Sequence, residues 1–263
     1  MLDYYPQSGE DQSKIFDWKE KYSVNDNKPF PKVGEISHYH FTEALSQILP
    51  PNIIISTGSS GLGIEGFYTV FRNKEGQRIY LTSGLGAMGY GLPSAIGACF
   101  ANNKKPMVLV EGDGSLQLNI QEMATLSAYN LPICLIIMNN QGYASIRNTQ
   151  RNYFQGRYVG TGPESGLMLP NMQKVADTYH IPFIQILDAS ELKDKLCDIM
   201  KRTWPLIVDV KLEPNEVLTP KVAAIPQSDG SMLSMPLEDM SPLLSIETLQ
   251  KEMIVGLSKA SLK

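Results

Sequence analysis

Asp113 and Asn140 are the residues whose chemistry stands out. They lie 27 positions apart in the stretch from Met107 to Gly142, MVLVEGDGSLQLNIQEMATLSAYNLPICLIIMNNQG. Asp113 offers a carboxylate, Asn140 an amide oxygen and Gly142 a main-chain carbonyl. Three oxygens suit a small hard cation that keeps its other positions for water and phosphate. Gly112 and Gly114 let the main chain approach a ligand closely. The N–H groups opening the following helix favour an anion at the same place. The grouping predicts a divalent cation bridging protein and a diphosphate. A lone Gly-Asp-Gly-Ser often makes only a turn; the double asparagine at this distance gives the pattern its specificity.

Placing these groups together requires a particular set of elements. Met107–Val110 is an apolar run of strand length, broken by Gly112-Asp113-Gly114-Ser115. Asn119–Tyr129 carries Ile120, Met123, Ala124, Leu126 and Ala128 at helical spacing, and Leu131-Pro132 stops that helix. Ile133–Met138 is a second apolar run. The spacing predicts strand, turn, helix, strand, a unit that is almost always a right-handed parallel crossover. Asp113 and Asn140 then sit just past the carboxyl ends of their strands and share one crevice.

At this point the sequence is recognisable. The Gly-Asp-Gly-Ser with Asn139-Asn140 at this distance resembles the thiamine diphosphate motif, and Leu81–Ala98, LTSGLGAMGYGLPSAIGA, is similar to the matching segment of the acetolactate synthase family. The resemblance runs from about Trp18 to the C-terminus. It implies thiamine diphosphate and Mg2+ as cofactors, with Asp113, Asn140 and Gly142 as metal ligands. The implied cofactor contacts are Ser59, Ser60, Gly61, Gly86, Met88, Gly112, Asp113, Gly114, Ser115, Asn140, Gly142 and Tyr143.

Composition bounds the class. The chain has 263 residues, 43% of them apolar and 19% charged, which supports a substantial core and argues against disorder. A net charge of −4 disfavours nucleic acid as a partner. Cys99, Cys134 and Cys197 are widely spaced in apolar segments and read as core residues. The first residues lack the apolar region of a secretory signal, and the longest clean apolar run, Ile133–Met138, is too short to span a bilayer. A cytoplasmic protein is the expectation.

In chain order, residues 1–35 are a polar, linker-like segment in which Phe16-Asp17-Trp18-Lys19 and Tyr22 form an aromatic island. Residues 36–213 are expected to form the diphosphate-binding domain, and 214–263 a tail with a terminal helix. Residues 39–48 read as a helix. His38 and His40 are better suited to a loop or cap than to a metal, since no third ligand is near. Ile53–Ile55 is a β-branched strand, and Thr57–Gly61 after it is either a phosphate-wrapping loop or an ordinary turn. Acetolactate synthases typically carry Gly-Gln-His where this chain has Ser60-Gly61-Leu62. Gly84, Gly86 and Gly89 surround Met88. By resemblance Met88 is the apolar wedge under the bent cofactor and the Gly86 carbonyl accepts from its amino group; by residue type alone Met88 is a core filler. Pro93–Ala101 is a small-residue helix with Pro93 in its first turn.

Tyr143–Tyr158 opens with a helix. Its Arg147, Arg151 and Arg157 either bind a carboxylate or are solvated. Thr149 stands where many acetolactate synthases carry a tryptophan, which implies a wider, more polar pocket. Residues 156–170 predict a mobile loop. Asn171–Thr178 is a helix with Val175 and Ala176 inward, Phe183–Leu187 a strand, Ser190–Met200 a helix capped by Asp188 or Ser190, and Leu206–Val210 the last strand. The tail ends in a helix from about Ile246, capped by Ser245, with Leu249, Met253, Ile254 and Leu257 on one face. It either closes over the site or packs on another subunit. The fold class is α/β, a doubly wound parallel sheet with helices on both faces.

The resemblance also implies what must be supplied. In this superfamily a glutamate on a separate pyrimidine-binding domain protonates the cofactor ring. No segment of this sequence resembles that domain or a flavin-binding middle domain, so no FAD is expected. Glu111 and Glu122 belong to the diphosphate side and do not substitute. The chain is expected to work with a pyrimidine-binding partner in trans, in a homo- or hetero-oligomer, or to be a fragment of a longer product. Three readings follow. The first is a subunit that decarboxylates a 2-oxo acid and passes the two-carbon unit to an acceptor, as acetolactate synthases do. The second stops at decarboxylation, like two-subunit sulfopyruvate-type enzymes. The third is a cofactor-binding module without catalysis.

Overall fold

The computed structural model describes residues 14, 16–18, 20–23, 28–58, 61–82 and 84–262. Ser59 and Ser60 of the expected phosphate loop, and Lys19 of the aromatic island, lie outside the described residues. A break after Val217 separates two compact units.

The first unit is built on six parallel strands. These are β1 (Ile54–Thr57), β2 (Arg78–Tyr80), β3 (Met107–Gly112), β4 (Ile133–Asn139), β5 (Phe183–Ile186) and β6 (Leu206–Lys211). Their order across the sheet is β2-β1-β3-β4-β6-β5. In β3 and β4 the register pairs Met107 with Ile133 and Gly112 with Met138. Every residue of β3 is buried, as are all of β4 but the last. Successive strand side chains point to opposite faces, so runs buried throughout require cover on both sides. On one face Met107, Leu109, Ile133, Leu135 and Ile137 pack with helices α3 (Gly91–Ala101), α5 (Met123–Ala128) and α7 (Met172–Thr178). Val108, Val110, Cys134 and Ile136 fall on the other and are fully buried. Two further helices, α1 (His38–Ile48) and α8 (Ala189–Ile199), pack against each other. The doubly wound α/β expectation holds.

Local chemistry sets most of the boundaries. Asn171 caps α7 by accepting from Lys174 N at 3.0 Å, and Asp188 caps α8 by accepting from Ser190 N at 2.8 Å, each stabilising its helix by about 1 kcal/mol. Val175 is only partly buried; Met172 joins Ala176 inside. His38 opens α1 rather than preceding it: it is buried and its Nδ1 pairs with Glu216. Strand β2, three residues at the sheet edge, was not expected.

The crossover between β3 and β4 differs from its expected form. Helix begins directly at Asp113 as the short turn α4 (Asp113–Leu116), passes through a 3₁₀ segment Gln117–Glu122, and only then becomes α5. Asn119 interrupts it with φ −141° and ψ 32°. Its side-chain Nδ2 donates instead to Gly89 O at 2.9 Å.

The second unit holds an antiparallel pair, β7 (Ala224–Pro226) with β8 (Met232–Ser234), and helix α9 (Ile246–Glu252). Ser245 caps α9 as expected, accepting from Thr248 N at 3.2 Å. The helix ends earlier than expected: Met253 is extended at ψ 136°, so Ile254 and Leu257 are not part of it. Among the described residues no helix is long and apolar enough to cross a membrane.

Candidate functional site

The strand order reverses between β1 and β3, because the chain runs outward to β2 and returns on the other side of β1. Ligands of open α/β sheets bind outside the carboxyl ends of the strands at such a point. A cleft of ≈ 450 Å³, counting the part open to solvent, lies there. Gly61 and Leu62 enter it from the loop after β1, Gly112–Ser115 from the end of β3, and Asn140, Gly142 and Tyr143 from the end of β4. Helix α6 (Ala144–Tyr153) adds Ala144, Ser145 and Ile146.

Asp113 and Asn140 are brought together as their spacing requires. Both are 3% exposed. Asp113 Oδ1 accepts from Gly114 N at 2.9 Å and Oδ2 from Gly142 N at 2.9 Å. Burial pushes this carboxyl up to about 7; the two N–H groups and the Arg147 charge pull it down without offsetting that cost. One terminal atom of the Asn140 amide lies 2.8 Å from Gly142 O and 3.1 Å from Asp113 Oδ1. When that atom is the amide oxygen, it stands about 3 Å from each of the other two oxygens, the edge of an octahedron whose ligands sit at 2.0–2.1 Å from a central ion. The residues present therefore fit a small divalent cation.

Glycine is required beside this group. Gly142 has φ 134°, and a β-carbon there would overlap Thr161 O. Gly89, at φ 80°, would meet Leu118 Cβ at 2.8 Å. That contact, with Gly89 N donating to Ser115 Oγ at 3.0 Å and Asn119 to Gly89 O, fastens the Met88 loop to the turn that follows β3. Met88 lines the cleft and is 39% exposed, so it is not a core filler. Gly86, at φ 58°, is exposed on the same loop and is not among the cleft-lining residues described. Tyr143 lays its ring against Gly114.

Two buried charged groups were not anticipated in these positions. Arg147, on α6, is 3% exposed and therefore not solvated, and its hydrogen bonds among the described residues go to main-chain carbonyls. Its Nη1 donates to Thr161 O at 2.7 Å and Gln141 O at 3.3 Å; its Nη2 donates to Asn140 O at 2.8 Å and Pro214 O at 2.7 Å. One guanidinium thus holds the Asn140–Gly142 turn, the loop at Thr161 and the segment after β6. Arg157, in contrast, is exposed. Thr149 is exposed and donates to Ser145 O at 3.1 Å; it is not among the cleft-lining residues described. Glu111, the penultimate residue of β3, is fully buried. Its carboxyl fills the space beside Gly58 and Gly91, where a β-carbon on either would overlap it. Gly112 N donates to Oε1 at 3.0 Å, and among the described residues Oε2 has no hydrogen-bond partner. Burial raises this carboxyl to about 7, with Ser115, Gly112 and Gly91 lowering it by less.

Comparison with known proteins decides what kind of cleft this is. Residues 57–210 match the family described as "Thiamine pyrophosphate enzyme, C-terminal TPP binding domain". The chain belongs to that family. Its sequence is similar to the acetolactate synthase large subunit of Porphyra purpurea, 31% identical over 223 residues, 81% of this chain and 35% of the relative. It is similar also to acetolactate synthase isozyme 1 large subunit of Escherichia coli K12, 32% identical over 199 residues, 74% of this chain and 34% of the relative. The chain spans about a third of the length of these curated relatives. Among solved structures, the Rhodococcus jostii RHA1 thiamine diphosphate-dependent 4-hydroxybenzoylformate decarboxylase shares the fold, with a TM-score of 0.59, 19% identity, and coverage of 68% of this chain and 33% of that one. The thiamine pyrophosphate-binding C-terminal domain is thus acetolactate synthase-like, and its matched segment contains every cleft-lining residue named above.

Proposed function

We propose that the chain is the diphosphate-binding part of a thiamine diphosphate- and Mg2+-dependent enzyme acting on 2-oxo acids. The observation that carries this is the three-oxygen grouping of Asp113, Asn140 and Gly142 at the reversal of strand order. When bound, thiamine diphosphate supplies an electron sink for the carbon that loses a carboxylate. The chain's own residues do the holding. Asp113, Asn140 and the Gly142 carbonyl would grip the cation, and Gly61 and Gly112–Ser115 would meet the diphosphate, with Ser59 and Ser60 added by the family resemblance. Met88 would support the cofactor with Tyr143, and Gly86 would join them on the family resemblance alone. Residues 36–213 form this domain, 1–35 lead into it and 214–263 form the tail.

A pyrimidine-binding domain outside these residues, on a partner chain or elsewhere in a longer product, supplies the activating glutamate; Glu111 is enclosed by Gly58, Gly91 and Gly112. The favoured reaction is decarboxylation followed by transfer of the two-carbon unit, in an oligomer. Decarboxylation alone is the second reading, and Leu62 favours it. This apolar residue lines the cleft where acetolactate synthases typically carry a histidine.

The test is to combine the chain with a separately made pyrimidine-binding domain, thiamine diphosphate, Mg2+ and pyruvate, and to analyse the products. A carboligated hydroxy-keto acid supports the first reading, and free aldehyde supports the second. Absence of turnover with cofactor bound leaves a binding module without catalysis.

A further inference from the structure

Asp113 also borders a second cavity, of ≈ 580 Å³ counting the part open to solvent. No other residue is common to this cavity and the cofactor cleft. Its polar end is made by Gln117 after β3, Asn139 and Gln141 at the end of β4, and Lys211 at the end of β6. Its other wall is apolar: Leu167 and Leu169 come from the loop before α7, and Met172 from the first turn of that helix. The function proposed above uses none of these side chains.

Lys211 sets the charge of what fits. It is half-buried, and among the described residues its ammonium makes no hydrogen bond or ion pair. Asp209 lies on the same face of β6, but its Oδ2 accepts from Gln185 Nε2 at 2.9 Å instead. An ammonium partly withdrawn from water is stabilised by an anion. Neutral donors are at hand. The Gln141 side chain makes no hydrogen bond among the described residues, and Gln117, which gives one N–H to Asp113 O at 2.9 Å, keeps a second. With one cation and two carboxyl groups near it, a doubly charged phosphate is disfavoured against a single carboxylate. The apolar wall calls for a hydrocarbon chain on that carboxylate.

We propose that this cavity is a second small-molecule site, which takes a monocarboxylate with a short apolar chain. Lys211 and the Gln141 amide hold the carboxylate, and Leu167, Leu169 and Met172 cover the chain.

Two features link the site to the cleft. Asp113 is common to both, so a cation bound there replaces a negative neighbour of the carboxylate by a positive one. Gln141 stands between Asn140 and Gly142 at φ 61°, an uncommon conformation for a residue with a side chain. A β-carbon on Gly142 would come 2.9 Å from Leu167 Cδ2. A ligand held by Gln141 and Leu167 therefore steadies the turn that offers the Gly142 carbonyl. Both effects favour simultaneous binding, and such coupling is reciprocal. The link rests on the cation reading above; the site itself does not.

The probe is 3-methylbutanoate, which has the carboxylate and the chain but no 2-oxo group to react. Two-dimensional amide NMR on the full chain is expected to show saturable shifts at Gln141, Leu167 and Lys211. Lys211→Gln with a retained far-UV spectrum should bind the probe about tenfold more weakly, and so should the unmodified chain bind the uncharged 3-methylbutanamide. Acetate, which lacks the chain, should also bind about tenfold more weakly. No saturable shift, equal affinity for acid and amide, or unchanged affinity in Lys211→Gln overturns the proposal. Shifts confined to Leu62, Tyr143 and Ile146 overturn it too, because the probe would then sit in the cofactor cleft. Should Lys211→Gln not fold, the comparison of acid with amide decides. Mg2+, its uptake read by equilibrium dialysis, should tighten probe binding about fivefold; unchanged affinity with Mg2+ bound overturns the coupling. The two readings fail apart. Probe binding here without Mg2+ uptake removes the cation reading and leaves the second site, whereas Mg2+ uptake without probe binding does the reverse.

Discussion

Replacing Glu111 with glutamine should remove much of the chain's pH sensitivity in the absence of cations. Glu111 is fully buried and its carboxyl is raised from 4.5 to about 7, chiefly by burial. The folded form holds this proton more tightly than the unfolded form, so folding takes up a proton between those two values. Stability is then greatest below pH 4.5, falls as pH rises towards 7, and is flat above it as far as this group is concerned. At roughly 1.36 kcal/mol for each pH unit, the loss is about 3 kcal/mol. A glutamine of the same shape has no such proton, and Gly58 and Gly91 leave the space it needs. Asp113 moves in the same direction and is common to both proteins, so the comparison isolates position 111. The assay is urea unfolding at pH 5 and pH 8 with a chelator present. The unmodified chain should lose roughly 2.5 kcal/mol more across that interval than Glu111→Gln, since part of the loss is already complete at pH 5. An equal loss in both would refute the reasoning, because Glu111 would then be ionised in the fold at little cost.

Two other substitutions probe the frame of the cleft. Gly142→Ala places a β-carbon against Thr161 O at φ 134°, and should cost about 2–4 kcal/mol by thermal or urea unfolding. A loss below half a kcal/mol would mean that the turn adapts freely. Met88→Ala should change stability by less than about 1 kcal/mol, since the side chain is already 39% exposed, yet weaken thiamine diphosphate binding in the presence of a pyrimidine-binding domain. Unchanged affinity by calorimetric titration would remove Met88 from the cofactor's support.

The parts of the fold that were legible in the sequence are those with local signals. Two apolar runs joined by a turn and a helix gave the β3–β4 crossover, and strand ends then placed Asp113 and Asn140 in one crevice. Caps such as Asp188 and Ser245 were visible because a capping side chain acts on an N–H two or three residues away. What was not legible depends on distant partners. Arg147 is buried because carbonyls from Asn140, Gln141, Thr161 and Pro214 meet it, and no periodicity announces such a meeting. Asn119 breaks the crossover helix because Gly89, 30 positions earlier, takes its amide. The edge strand Arg78–Tyr80 is too short to show alternation. Glu111 did carry a signal: a carboxylate continuing an apolar run into a buried strand is a costly placement. It passed as part of the diphosphate turn because Gly58 and Gly91, the residues that make room for it, lie far away in sequence.

The claim beneath all of this is that three oxygens at the reversal of the sheet hold one ion. Crystals of the full chain grown with Mn2+ and thiamine diphosphate, measured at a wavelength where Mn2+ scatters anomalously, test it most directly. One anomalous peak within bonding distance of Asp113 Oδ1, the Asn140 side-chain oxygen and the Gly142 carbonyl is the expected result, absent in Asp113→Ala. A peak elsewhere, or one at the same place that survives Asp113→Ala at full height, would contradict it.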